Sequence, residues 1–220
     1  MVGHWLAAIG VPGADSCAAG RKRGVMNVRL ASVTDAEGVA AIYAPVVRET
    51  IISFEERAPD AAEMAERIAR CLPRYPWLVG TDDAGGLLGY VYAGPHRERA
   101  GYRWSVDVTA YVAAEARGCG VAKRLYASLL AMLTAQLYRR AYAGITLPND
   151  ASVALHRSAG FVPFATYRSV GYKFGAWHDV VYLERELGPA VVPPPEPLPL
   201  AAIDVERLLR EPGARTENAR

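Results

Sequence analysis

At 220 residues the chain suits one domain with tails, or at most two small domains. Its 51% hydrophobic and 22% charged residues are those of an ordinary soluble globular chain. A formal charge of +2 is too small to argue for nucleic acid or a membrane surface, so any anion binding must come from local clustering. No apolar run is long enough to span a bilayer. Cys17, Cys71 and Cys119 are odd in number, widely spaced and without a metal-ligand pattern. That favours a reducing cytoplasm over a disulfide scaffold, and no metal is expected.

Residues 1–25 carry no usable periodicity and no signal-peptide pattern, and read as a floppy or over-long extension. The patterned domain begins at Met26. Val28-Arg29-Leu30 is a short strand, and Thr34-Asp35-Ala36-Glu37 has the spacing of a capping box. Val39, Ile42, Tyr43, Val46 and Val47 then recur as a helical stripe, in which Pro45 predicts a kink or restart. Ile51-Ile52-Ser53-Phe54 reads as a lining loop. Pro59-Asp60 and Glu63 start a second helix, with Met64, Ile68 and Leu72 inward and Pro73 closing it. Trp77–Gly80 and Leu87–Ala93 are strands joined by a hairpin turn at Asp83-Ala84-Gly85-Gly86.

The centre of the chain is Arg117-Gly118-Cys119-Gly120-Val121-Ala122. The β-rich run Val108-Thr109-Ala110-Tyr111-Val112 precedes it. A helix follows, with Val121, Leu125, Leu129, Met132 and Leu133 on one stripe. Such a turn aims backbone N–H groups outward at the positive end of a helix dipole, a seat for phosphate. Gly118 and Gly120 let a bulky anion approach the main chain, and Lys123 and Arg124 add charge beside it. A glycine-led helix start is also a common plain turn.

Downstream, Ala141 to Leu147 reads as a strand and Pro148-Asn149-Asp150 opens a short helix that ends at Gly160. Phe161–Phe164 resumes β structure. Two final strands, about 165–172 and 177–187, turn around Gly175. Residues 188–220 read as a Pro-rich, mostly disordered tail, with a marginal helix over Ile203–Leu209. The order implies an α/β chain, a mixed sheet with helices on both faces.

That order, with R-x-x-G-x-A at the exit of the fourth strand, resembles the GNAT acyltransferase superfamily over about residues 27–187. The stretches Arg74–Val79, Tyr92-Ala93-Gly94-Pro95, Leu147-Pro148-Asn149-Asp150 and Gly175-Ala176-Trp177-His178-Asp179 resemble its phosphinothricin and methionine-sulfoximine N-acetyltransferases. The resemblance implies a mostly antiparallel sheet with a splayed central strand pair, acetyl-CoA as co-substrate, and a homodimer.

It also implies roles for residues. The pyrophosphate seat falls at Arg117, Gly118, Cys119, Gly120, Val121, Ala122 and Lys123. Ala110, Tyr111 and Val112 supply backbone groups for the pantetheine arm and the thioester carbonyl, where a preset N–H stabilises charge developing on oxygen. Asn149 and Ser152 match cofactor contacts, although Asn before a helix is equally a favoured N-cap. His156 stands where a proton donor serves the leaving thiolate, and a lone helical histidine is also often structural.

Asp107 replaces the subgroup's glutamate base, its carboxylate retracted by about one carbon–carbon bond. Arg97 and Arg99 match basic positions that grip an acidic substrate, for which a guanidinium fork is suited. Tyr102 borders them, and Phe54 forms an apolar wall. Tyr172, Trp177 and His178 either line the same pocket or anchor the terminal strands. His96, at a position often aromatic in the subgroup, has no expected role.

The expectation is acetyl transfer to the α-amine of a small acidic amino-acid analogue, with no nucleic-acid or membrane partner. The competing readings are a GNAT enzyme for another amine, such as a peptide N-terminus or a polyamine, and a non-catalytic acyl-CoA sensor.

Overall fold

The structure, a computed structural model, describes residues 26–212. The expected 1–25 extension and the last eight tail residues lie outside the described residues. Seven strands form one sheet in the order β1-β2-β3-β4-β5-β7-β6. They are β1 (Asn27–Leu30), β2 (Trp77–Thr81), β3 (Leu87–Pro95), β4 (Ser105–Val112), β5 (Arg140–Thr146), β6 (Val162–Lys173) and β7 (Ala176–Glu186). Every pairing is antiparallel except β4 with β5.

Helices α1 (Ala36–Glu49) and α2 (Ala61–Cys71) cover one face, and α3 (Val121–Ala135) covers the other. Strand alternation builds the two cores. On β2, Trp77 and Val79 join Val39, Val47 and Ile68 under α1 and α2, while Leu78 joins Leu125, Leu129 and Leu133 of α3. Each fully buried aliphatic side chain contributes roughly 1.5–3 kcal/mol.

Two local expectations change. Helix α1 runs unbroken through Pro45, because tertiary packing of Tyr43, Val46 and Val47 holds the turns on either side of it. The capping box lies two residues earlier than Thr34, at Ser32 and Asp35. The Ser32 N–H donates to Asp35 at 2.8 Å, and the Thr34 hydroxyl pairs with Ser32 Oγ at 2.6 Å. In α2 the Asp60–Glu63 capping box forms as read.

Residues 188–212 are not a disordered tail. The chain runs back under the acceptor-side loop, where Trp104 Nε1 donates to the Pro195 carbonyl at 2.6 Å and Arg103 pairs with Glu196. Leu198 N–H donates to Gln136, and α5 (Val205–Arg210) buries Leu208 against α3. Proline forbids ladder structure there but not an extended strap whose carbonyls accept from side chains.

Candidate active site

Strand β5 matches β4 only at Ser105, Val106 and Asp107, and the two then part. The direction of the freed groups follows from the β3 ladder. Ala113 N–H donates to Leu88, and the Ser105 carbonyl accepts from His96, both across to β3. Backbone groups alternate along a strand, so Asp107, Thr109 and Tyr111 also turn theirs to β3. Val108, Ala110 and Val112 turn theirs into the gap.

Two of the three expected strand residues, Ala110 and Val112, therefore present main-chain groups there. Tyr111 does not. Its ring instead meets Tyr43 at 4.8 Å and Tyr90 at 5.4 Å on the α1–α2 face. Val108 takes its place; the sequence held no sign of this, since the parity is set by register with β3.

At the mouth of the gap the chain turns through Gly118 (φ 76°) and Gly120 (φ 81°) into α3. A Cβ added at Gly120 would meet open space, so the surface beside the helix end is accessible. The N–H groups of Val121, Ala122 and Lys123 belong to the first turn and have no intrahelical acceptor. Cys119 N–H closes back on the Ala116 carbonyl at 3.4 Å. Arg117 Nε lies 3.4 Å from the Val112 carbonyl, joining loop to strand. A long anionic chain with a pyrophosphate and an amide-bearing arm fits this cradle: N–H groups at the helix end, then polar backbone along an open strand edge.

Asn149 caps α4 (Asp150–Ser158), its Oδ1 accepting from Ser152 N–H at 3.1 Å. Its amide NH2 stays available. His156 differs from expectation. It is buried; Nδ1 donates to the Ser152 carbonyl at 2.7 Å, which leaves Nε2 unprotonated and accepting from Tyr126 at 2.9 Å. Burial pushes its pKa below the ordinary imidazole value. A neutral ring with its one proton already bonded is not poised as a proton donor.

Asp107 sits at the point where the strands part, opposite Gly94 on β3 and Tyr142 on β5. Its carboxylate is half-buried, and desolvation raises its pKa against the opposing pull of His96 and Arg97. His96 Nδ1 lies 2.8 Å from Asp107 Oδ1, and its ring stacks on Tyr142 at 4.3 Å. Tyr102, 48% exposed, meets the His96 ring edge-on at 6.2 Å. Arg97 donates to the His96 carbonyl at 2.8 Å. Arg99 is exposed just before the turn that holds Tyr102.

Phe54 closes the far side. It stacks on His178 at 6.3 Å, and the tip of its ring abuts Gly171. Lys173 ties the loop to the β6–β7 hairpin by donating to the carbonyls of Val47 and Ser53 at 2.7 and 2.6 Å. Tyr43 bonds Ser53 Oγ at 2.7 Å from below. Tyr172 and Trp177 point away and stay exposed, so only His178 of that group meets the site wall. A cavity of about 370 Å³ runs beneath, among Tyr43, Trp77, Tyr92 and Tyr111, and reaches Gly94, the register partner of Asp107. Among the described residues no His/Cys/Asp/Glu group could hold a metal, and no helix is long and apolar enough to cross a membrane.

A parted parallel strand pair leading to a glycine-led helix end, with a carboxylate at its apex, defines an acyltransferase site. The GNAT acetyltransferase domain pattern matches residues 28–182, and the chain belongs to that family. It is 40% identical over 163 residues to phosphinothricin N-acetyltransferase of Alcaligenes faecalis, covering 73% of this chain and 82% of the relative. It is 35% identical to L-methionine sulfoximine/L-methionine sulfone acetyltransferase of Pseudomonas aeruginosa, covering 74% and 95%. The crystal structure of a Sinorhizobium meliloti phosphinothricin acetyltransferase in complex with acetyl-CoA superposes with a TM-score of 0.73 at 34% identity, covering 78% of this chain and 92% of that one.

Proposed function

We propose that the chain transfers acetyl from acetyl-CoA to the α-amine of a small acidic amino-acid analogue of the phosphinothricin or methionine sulfoximine/sulfone type, by direct attack. The observation that carries this is the free edge of β4, which ends at Asp107 with Arg97 beside it. The relatives named for these substrates support the same reading.

The helix end at Gly118–Lys123, with Arg117, holds the pyrophosphate. Val108, Ala110 and Val112 lay the pantetheine arm along β4, and an N–H of this strand faces the thioester oxygen as charge develops there. Asn149 offers its free NH2 to the arm. Arg97 and Arg99 hold the acidic group of the acceptor, and Phe54 and Tyr102 bound its body. Asp107, with the His96 imidazole bonded to it, forms the group that accepts the ammonium proton. Ser152 holds Asn149 and His156 in place at α4, and His156 serves this joint instead of donating to sulfur.

The β6–β7 hairpin exposes Phe164, Tyr167, Val170, Tyr172 and Trp177, an apolar strip that fits a second copy of this chain in a cytoplasmic homodimer.

Thiol release from acetyl-CoA tests the reading. Phosphinothricin, methionine sulfoximine and methionine sulfone are predicted to give turnover; a polyamine and a free peptide N-terminus are predicted to give little. Release with the polyamine alone would overturn the acceptor assignment, and tight cofactor binding without release would favour a sensor.

A further inference from the structure

Asp107 has a short reach, and its Oδ1 is held by His96 Nδ1, whose ring is 15% exposed beside a carboxylate side chain that is 46% exposed. A carboxylate cannot donate, so Nδ1 carries the proton in this bond and the neutral ring keeps its lone pair on Nε2. No other protein group among the described residues bonds Nε2. The ring is fixed in plane and angle by stacking on Tyr142 and by the edge of Tyr102.

Tyr142 is the register partner of Asp107 at the last β4–β5 pairing, so the imidazole lies over the apex of the parted strands. That is the end of the gap at which Val108 first presents its free backbone. The groups around the ring are Asp107 from β4, Arg97 on its own loop, Tyr102 from the following turn and Tyr142 from β5; Tyr182 of β7 lies within electrostatic reach of Asp107 and Arg97.

We propose that His96 is the catalytic base of this enzyme, with Asp107 as the positioning residue that fixes its tautomer and steadies the imidazolium. The inference rests on the acetyltransferase reading above and deepens it. Nε2 takes one proton from the substrate ammonium. The freed nitrogen pair forms the C–N bond while the carbonyl π pair moves onto oxygen. That pair then returns, the C–S bond breaks, and its electrons leave on sulfur. The imidazolium protonates the sulfur, then takes the remaining surplus nitrogen proton and passes it to water. The sum is ammonium plus thioester giving amide, thiol and one proton.

The test compares wild type, His96→Phe, His96→Ala and Asp107→Asn in thiol release with phosphinothricin across pH. Phe keeps the stack on Tyr142 and so preserves the fold. His96→Phe should lower kcat about a hundredfold or more. The KM for acetyl-CoA should be unchanged, and the pH dependence of kcat/KM seen in wild type should change shape. Added imidazole should restore part of the His96→Ala rate and none of the His96→Phe rate, whose ring fills the space. Asp107→Asn should keep the KM for acetyl-CoA and shift the pH limb. If wild type turns over but His96→Phe matches it within threefold at every pH, the histidine is a bystander and only this inference falls. If wild type acetylates none of the amines, the functional reading falls, and the dyad's role with it.

Discussion

The hydroxyl of Tyr126 lies 2.9 Å from Nε2 of His156, and both groups are buried between α3 and α4. With Nδ1 engaged by Ser152, this imidazole is a structural joint between the two helices that frame the cofactor cradle. Tyr126→Phe leaves a buried acceptor unpaired, which costs about 1–3 kcal/mol. Denaturant midpoints should fall accordingly, while kcat stays within a few-fold of wild type. A hundredfold loss of kcat with unchanged stability would return His156 to the reaction.

The same ring makes a pH prediction. Its pKa is lowered in the fold, so between that value and the ordinary 6.5 the unfolded chain binds more protons. Stability therefore rises with pH through this window and falls as the solution is acidified below 6.5. His156→Gln should flatten that part of the thermal-melt profile.

Asp35 acts in a lower window. Arg29 grips its carboxylate at two points, both 2.7 Å, and holds its pKa below the usual 3.8. A depressed carboxylate contributes stability that is present above 3.8 and is lost as pH falls through the folded value. Arg29 is 42% exposed, so solvent screening keeps the contribution near about 1 kcal/mol. Asp35→Asn should melt lower than wild type at pH 7, with the gap closing in acid.

Gly171 probes the acceptor wall. A Cβ there would overlap the Phe54 ring, and a ring at the end of a loop side chain yields by moving. Gly171→Ala should raise the acceptor KM by about tenfold or more, the cost of an overpacked contact. The KM for acetyl-CoA should not change. Equal KM values for the acceptor would place Phe54 outside the binding site.

Much of the fold was legible in the sequence because its signals are local. Asp60–Glu63, the stripe from Val121 to Leu133, and Gly160 each specify a boundary through neighbours a few residues away. The splay was expected from resemblance, but which residues face it was not. Tyr111 and Val108 exchange roles through a register with β3 that no local pattern encodes. His96 gave no signal, since its meaning depends on Asp107 eleven residues later and on Tyr142 on another strand. The strap at 188–212 was hidden for a related reason: its anchors, Trp104 and Arg103, lie about 90 residues upstream.

The central claim is that the opened edge of β4 seats the thioester beside the His96–Asp107 pair. A crystal of the protein soaked with acetyl-CoA tests it most directly. The account predicts pyrophosphate oxygens on the N–H groups at the start of α3, and the thioester along Val108–Val112 within reach of the His96 ring. A cofactor lodged elsewhere, or a thioester turned away from that ring with the strand edge bare, would contradict it.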